Sequence, residues 1–146
     1  MSAIADALAL EETIEFKGLV YTIKPLTYYS LGKFSTWLEA NACAFAERAK
    51  QFLSADSMKG LLRGIASDVA CRLYEPGGAY FLKAEQSREG QMKLLELCLT
   101  GPDIGPELVA ELWLEEGKRE EALAKLAKLN SDPKALRGML IPEKLN

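Results

Sequence analysis

The sequence predicts an α+β fold, mostly α, with a short N-terminal β-hairpin followed by a multi-helix body. Three observations carry that expectation. Apolar and polar residues alternate through Thr13–Lys24, on either side of a Lys17-Gly18 pair. From Leu31 onward, apolar residues recur at steps of three and four. Turn-forming groups, among them Pro76-Gly77-Gly78 and Thr100-Gly101-Pro102, divide the helical run into segments. The 146 residues suit one domain with a core of its own. Residues 1–12 read as an N-terminal arm, flexible or a frayed helix. Residues 13–130 read as a single hairpin-plus-helices domain, and 131–146 as a short C-terminal helix and tail.

Each element has a local reason. In the hairpin, Ile14 and Phe16 alternate with Thr13 and Glu15, and Gly18 tolerates the positive φ of a tight turn. Leu19, Tyr21 and Ile23 share one face of the second strand, and Val20, Thr22 and Lys24 the other. Pro25 ends the pairing because it has no N–H to donate. A lone hairpin is marginal in water, so one face must pack on the helices or pair with another chain, and packing is expected.

Thr27, or else Ser30, is the expected N-cap of the first long helix. Its apolar face runs Leu31, Phe34, Trp37, Leu38, Ala42, Phe45, Ala49, Phe52 and Leu53. Ser54–Asp56 breaks it, with Asp56 placed to cap the next helix, about Ser57–Leu73. That helix presents Leu61, Leu62, Ile65, Val69 and Leu73, and the Gly60/Gly64 spacing is read as room for close helix packing. Ala79–Ala84 is ambiguous in type. Ser87 is read as the cap of a helix with Met92, Leu94, Leu95, Cys98 and Leu99 on its apolar side. Pro106 fits the first position of the next helix, where its missing N–H costs nothing. Leu108, Val109, Leu112 and Trp113 form that stripe, and Gly117 is read as its end. A helix over Lys118–Leu129 carries a favourable Glu121–Lys125 pair. Asp132-Pro133 opens a short last helix.

Composition excludes several classes of function. Apolar residues make up 49% and charged residues 27%, with a net charge of −3, so no basic excess drives phosphate-backbone binding. No apolar run approaches a membrane span. The first ten residues have no Lys or Arg ahead of their apolar residues, unlike a secretory signal. With no histidine in the chain, His triads, His metal sites and His bases are ruled out. No nucleophile elbow and no phosphate-binding loop is present. Cys43, Cys71 and Cys98 are odd in number and far apart, and fit neither a metal pair nor a disulfide framework. They are expected to be reduced, buried thiols of a cytoplasmic protein. No catalytic, cofactor-binding or metal-binding residue is assigned, and a non-enzymatic role in protein–protein interaction is expected.

Glu107, Glu111 and Glu115 stand at i, i+4 and i+8, in a stretch without Lys or Arg from 103 to 116. A paired-carboxylate hydrolase or a divalent-cation site could use such a row. The expected reading is a solvated helix face suited to the helix dipole, with a ridge for a basic partner surface as the remaining functional reading. Residues 118–146 carry the opposite sign but no aromatic residue to stack on bases. The asymmetry fits head-to-tail contact between copies. Trp37 is expected in the core, whereas for Trp113 core and contact readings both stand. Tyr28, Tyr29, Leu108, Glu111, Leu112, Trp113 and Glu115 are the expected partner-binding residues, as apolar and acidic positions that read as exposed.

The stretch Ile14-Glu15-Phe16-Lys17-Gly18-Leu19-Val20-Tyr21-Thr22-Ile23-Lys24-Pro25-Leu26-Thr27 resembles the opening of tail assembly chaperones of long-tailed bacteriophages and prophages. These proteins often begin with a hairpin of the form F-x-G-x-x-Y-x-[IL]-x-P-L-T, followed by a long helix. Ser87-Arg88-Glu89-Gly90 with its leucine-rich helix, then a Pro-containing loop and Glu107-Leu108-Val109-Ala110-Glu111-Leu112, is similar to their second half. The resemblance covers most of residues 13–116 and lies in order and pattern. It implies a non-enzymatic chaperone in the bacterial host cytoplasm that coats the tape measure protein and helps recruit subunits of the major tail protein, the tail-tube subunit. The alternative is a small helical phage-encoded regulatory or nucleic-acid-binding protein. That would call for a basic recognition helix, and none is found.

Overall fold

A computed structural model describes residues 10–131. The elements run β1 (Glu12–Phe16), β2 (Leu19–Ile23), α1 (Tyr28–Ala49), α2 (Ala55–Ala70), α3 (Ala79–Gln86), α4 (Arg88–Cys98), β3 (Leu99–Thr100), α5 (Pro106–Leu114) and α6 (Glu116–Asn130). The fold is α+β and mostly helical, with an N-terminal hairpin leading into the helices. The chain divides into two compact units, one formed by the segments up to Ser30 and from Arg88 onward, the other by Leu31–Ser87.

In the first unit, β1 and β2 pair antiparallel with Phe16 opposite Leu19 and Ile14 opposite Tyr21. Lys17 and Gly18 both take positive φ, 53° and 76°. That is the type I′ turn whose twist matches a two-residue hairpin. Register then sets the faces: Ile14, Phe16, Tyr21 and Ile23 point into the core, while Thr13, Glu15 and Val20 point away. Leu95, Cys98, Leu99, Val109, Leu112, Ala122, Leu126 and Leu129 complete that core from α4, β3, α5 and α6. Each large apolar side chain fully buried there contributes about 1.5–3 kcal/mol relative to exposure. The hairpin is thus stabilised by packing, as its isolated marginality requires.

The sheet has a third strand that the helical pattern concealed. Leu99 and Thr100 leave the end of α4 and pair with Ile23 and Thr22 of β2. The Lys24 N–H donates to the Cys98 carbonyl at 2.9 Å, extending the ladder by one bond. Leu99 therefore belongs to a strand and not to the helical face on which its spacing placed it.

In the second unit, α1 stops at Ala49, so Phe52 and Leu53 leave its stripe, and Phe52 is 85% exposed. Ser54, not Asp56, caps α2: its Oγ accepts the Ser57 N–H at 3.1 Å, with Ser54 in extended geometry. α2 ends at Ala70, where Arg72 takes φ 61°. The ambiguous segment is helix α3, and the Leu73 carbonyl accepts both the Tyr80 and Phe81 N–H groups ahead of it. Phe34 meets Phe81 edge-on at 4.9 Å and Trp37 at 5.3 Å. Phe34 and Phe81 are buried, and Trp37 is half-buried where full burial was expected.

Other expectations shift as well. Gly60 and Gly64 do not serve close packing, since nothing lies within 4 Å of where either Cβ would stand. At about 100° per residue they lie beside the Leu61/Ile65/Val69 stripe and not within it. α5 ends at Leu114 and α6 starts at Glu116, so Gly117 sits in the first turn of α6 and does not terminate α5. Cys98 is buried, but Cys43 and Cys71 are exposed. Positions 1–9 of the arm and the short helix from Asp132 lie outside the described residues.

Candidate interaction surface

The residues expected to contact a partner separate into three groups. At the start of α1, the Thr27 Oγ1 accepts the Ser30 N–H at 3.1 Å, and the Ser30 Oγ accepts the Thr27 N–H at 2.7 Å. This reciprocal cap fixes where the helix begins. It leaves Tyr28 half-buried and Tyr29 74% exposed, one residue apart and on different faces.

The second group belongs to the core. Leu112 is 1% exposed, Trp113 is 9% exposed, and Leu108 packs against the same core. The Arg119 guanidinium lies 6.0 Å from the centre of the Trp113 ring and covers it. These three side chains hold the first unit together, so the core reading of Trp113 prevails over the contact reading. The reason is geometric: α5 is only nine residues long and is packed between α4 and α6, which leaves its apolar stripe no open side.

Acidic residues form the third group. Glu111 is exposed and forms an ion pair with Lys17 of the hairpin turn. Glu115 is exposed but sits beyond the end of α5, at φ −87° and ψ 100°. The three-glutamate row is therefore broken after Glu111. The basic residues of α6 are likewise engaged within the chain. Lys128 donates to Glu12 Oε1 at 2.9 Å, and Lys125 donates to the Thr13 carbonyl on the outer edge of β1. The Lys128 ammonium holds the Glu12 carboxyl below the usual carboxylate range, first through that hydrogen bond and then through its charge. The lysine is raised in turn. A lysine on a sheet edge also discourages strand addition.

Exposed apolar side chains concentrate elsewhere. In the second unit, Phe45, Phe52, Leu53, Leu62, Val69 and Leu82 all show more than a third of their surface, and no residue of α2 is buried. In the first unit Leu114 stands 85% exposed. Sequence pattern alone missed this surface because an apolar stripe has the same period whether or not anything covers it. The signal available was indirect: the rest of the circumference of α2 mixes charged residues, Asp56, Lys59, Arg63 and Asp68, with glycines and serines, which leaves only one side of the helix apolar. Tyr80 donates to Asp68 Oδ2 at 3.0 Å, and this bond and the carboxylate charge raise the phenol above its ordinary range. Burial pushes the Tyr74 hydroxyl up, and the Tyr74 ring lies 5.1 Å from that of Tyr80. Both contacts brace the turn between α2 and α3.

Among the described residues no group of three or more Cys, Asp and Glu could hold a metal ion, and no helix is long and apolar enough to cross a membrane. No family model matches the chain, and no curated protein and no solved structure matches it.

Proposed function

We propose that this chain is a non-enzymatic tail assembly chaperone of a long-tailed bacteriophage or prophage. It binds and solubilises the tape measure protein in the host cytoplasm and helps recruit tail-tube subunits, and copies of the chain associate with one another. Two things support the reading. The first is the resemblance of Ile14–Thr27 and of the later leucine-rich half to that family. The second, and the observation that carries most weight, is an amphipathic helix, α2, whose apolar face is left without a buried residue. A face of that kind matches a protein that holds another helix by its apolar side. Each such contact is weak, and many copies along one long target supply the strength while still allowing release.

The test is co-expression with any long helical protein found to be encoded beside this chain, followed by pull-down and light scattering at low and high salt. A soluble complex with many copies per partner is expected. A partner that stays insoluble, with nothing co-purifying, overturns the reading and turns attention to nucleic-acid binding.

A further inference from the structure

The exposed side of α2 has a definite chemistry. At about 100° per residue, Ala55, Leu62, Ala66 and Val69 fall along one strip of the helix. All four are exposed, with Leu62 at 50% and Val69 at 39%. The strip runs about 21 Å, at 1.5 Å per residue. Leu61 and Ile65 flank it on one side and are half-buried. Lys59 and Arg63 flank it on the other, one turn apart and both exposed. Among the described residues neither side chain makes an ion pair or a hydrogen bond. Of the other cations in this unit, Lys50 pairs with Glu47 and Arg72 with Glu75, while Arg48 and Lys83 are, like Lys59 and Arg63, without an ion pair among the described residues. Asp56, a turn away from Lys59, does not pair with it either.

We infer that this strip is the docking seam for a partner helix whose apolar stripe is edged by Asp or Glu. The alternation of Leu or Val with Ala gives the ridges and gaps that a second helix packs into. Lys59 and Arg63 would meet carboxylates on one edge of the incoming helix and set its direction and register. Charged edges of a helix pair decide partner choice in this way, while the apolar seam supplies the contact. A strip this narrow, without Trp or Phe and with only two cations, fits a helix better than a lipid surface. The inference rests on the chaperone reading for its biological partner, but its physical claim stands apart from it.

The probes are two labelled, designed helical peptides with the same Leu/Ala stripe, one edged with Glu and its twin edged with Lys. Each is titrated against the full chain at low salt and followed by anisotropy. The Glu-edged peptide is expected to bind roughly tenfold more tightly than its twin, as two rim charge pairs can provide. The double variant Lys59→Glu/Arg63→Glu is expected to abolish or invert that preference. Leu62→Glu is expected to lose both peptides, with unchanged far-ultraviolet circular dichroism because the position is exposed. Equal affinity for the two peptides, or a preference that survives charge reversal, overturns the inference. So does a concentration-dependent dimer that Leu62→Glu dissolves, which assigns the strip to a second copy. Preferential uptake on phosphatidylserine vesicles, lost in the charge-reversed variant, assigns it to lipid and overturns the inference too. If the peptides discriminate and the long neighbouring protein is never captured, the seam stands and the chaperone reading falls. If that protein is captured equally by the parent and by both variants, the chaperone reading stands and the seam falls.

Discussion

The side-chain oxygen of Asn130 accepts the backbone N–H of Leu26 at 2.8 Å, which ties the exit of the hairpin to the last turn of α6 across 104 positions of sequence. The Leu26 N–H lies just past Pro25, where the ladder has ended, and would otherwise lack a partner in a partly buried place. Replacing the amide with a methyl group leaves that donor unsatisfied. Asn130→Ala is expected to lower stability by about 1–2 kcal/mol, measured by urea denaturation. Asn130→Asp keeps an acceptor and is expected to cost less.

Burial separates the two kinds of leucine. Leu95 is fully enclosed in the core beneath the sheet, and Leu62 stands half in solvent. Leu95→Ala is expected to destabilise by about 2–5 kcal/mol through lost transfer energy and the cavity it leaves. Leu62→Ala is expected to stay within about 0.5 kcal/mol, since no packed neighbour is lost. Equal losses at the two sites would mean that α2 is covered in solution.

Gly101 follows β3 with φ 151°, and a Cβ there would stand 2.7 Å from Cδ1 of Tyr21. The Tyr21 ring is buried in the core and has little room to withdraw. Gly101→Ala is expected to cost about 1–3 kcal/mol from the strained backbone alone. Chemical denaturation gives the loss, and the Tyr21 ring shifts in a proton spectrum locate it.

Acid should loosen one surface tie. Glu12 titrates below its ordinary range in the folded chain because Lys128 bonds to it. Its contribution is therefore complete above the unfolded-state pKa and lost as pH falls through the folded value. Both groups are exposed, so the effect is small and screened by salt. Lys128→Met is expected to move the Glu12 carboxyl back up towards its ordinary range in a carbon-detected titration, and to flatten that part of the acid limb.

Thiol reactivity should distinguish the cysteines. Burial pushes the Cys98 thiol up to about 12, so it remains a protonated thiol at neutral pH and is shielded as well. Cys43 and Cys71 face solvent. A thiol reagent is expected to modify two cysteines in the native chain and the third only after denaturant is added. Fast modification of Cys98 in the native chain would contradict its place under the sheet.

The hairpin was legible at single-residue detail. Its alternation, the Lys17-Gly18 turn and Pro25 are all local signals, and together they set the register of Ile14 against Tyr21. Helical segments were legible for the same reason. Helix ends were less so: Ser54 and Asp56 are both good caps, and only the backbone shows that Ser54 does the capping. The interaction surface was the least legible. Leu112 reads as a contact residue and is core, Trp113 reads equally as core or contact and is core, and Leu62 and Val69, on the apolar face of their helix, are exposed.

What the sequence by itself determined is local: which segments alternate with period two, which with period three to four, and where turn residues interrupt them. It also removed histidine chemistry from the chain altogether. Tertiary structure decided which stripes meet a partner within the chain. It drew Leu99 and Thr100 out of a helical pattern into a strand against β2, enclosed the stripe of α5, and left the stripe of α2 open. Periodicity sets the direction in which a side chain points, but burial depends on what else arrives on that side. That is settled by contacts between residues far apart in sequence, such as Leu26 with Asn130 and Lys17 with Glu111.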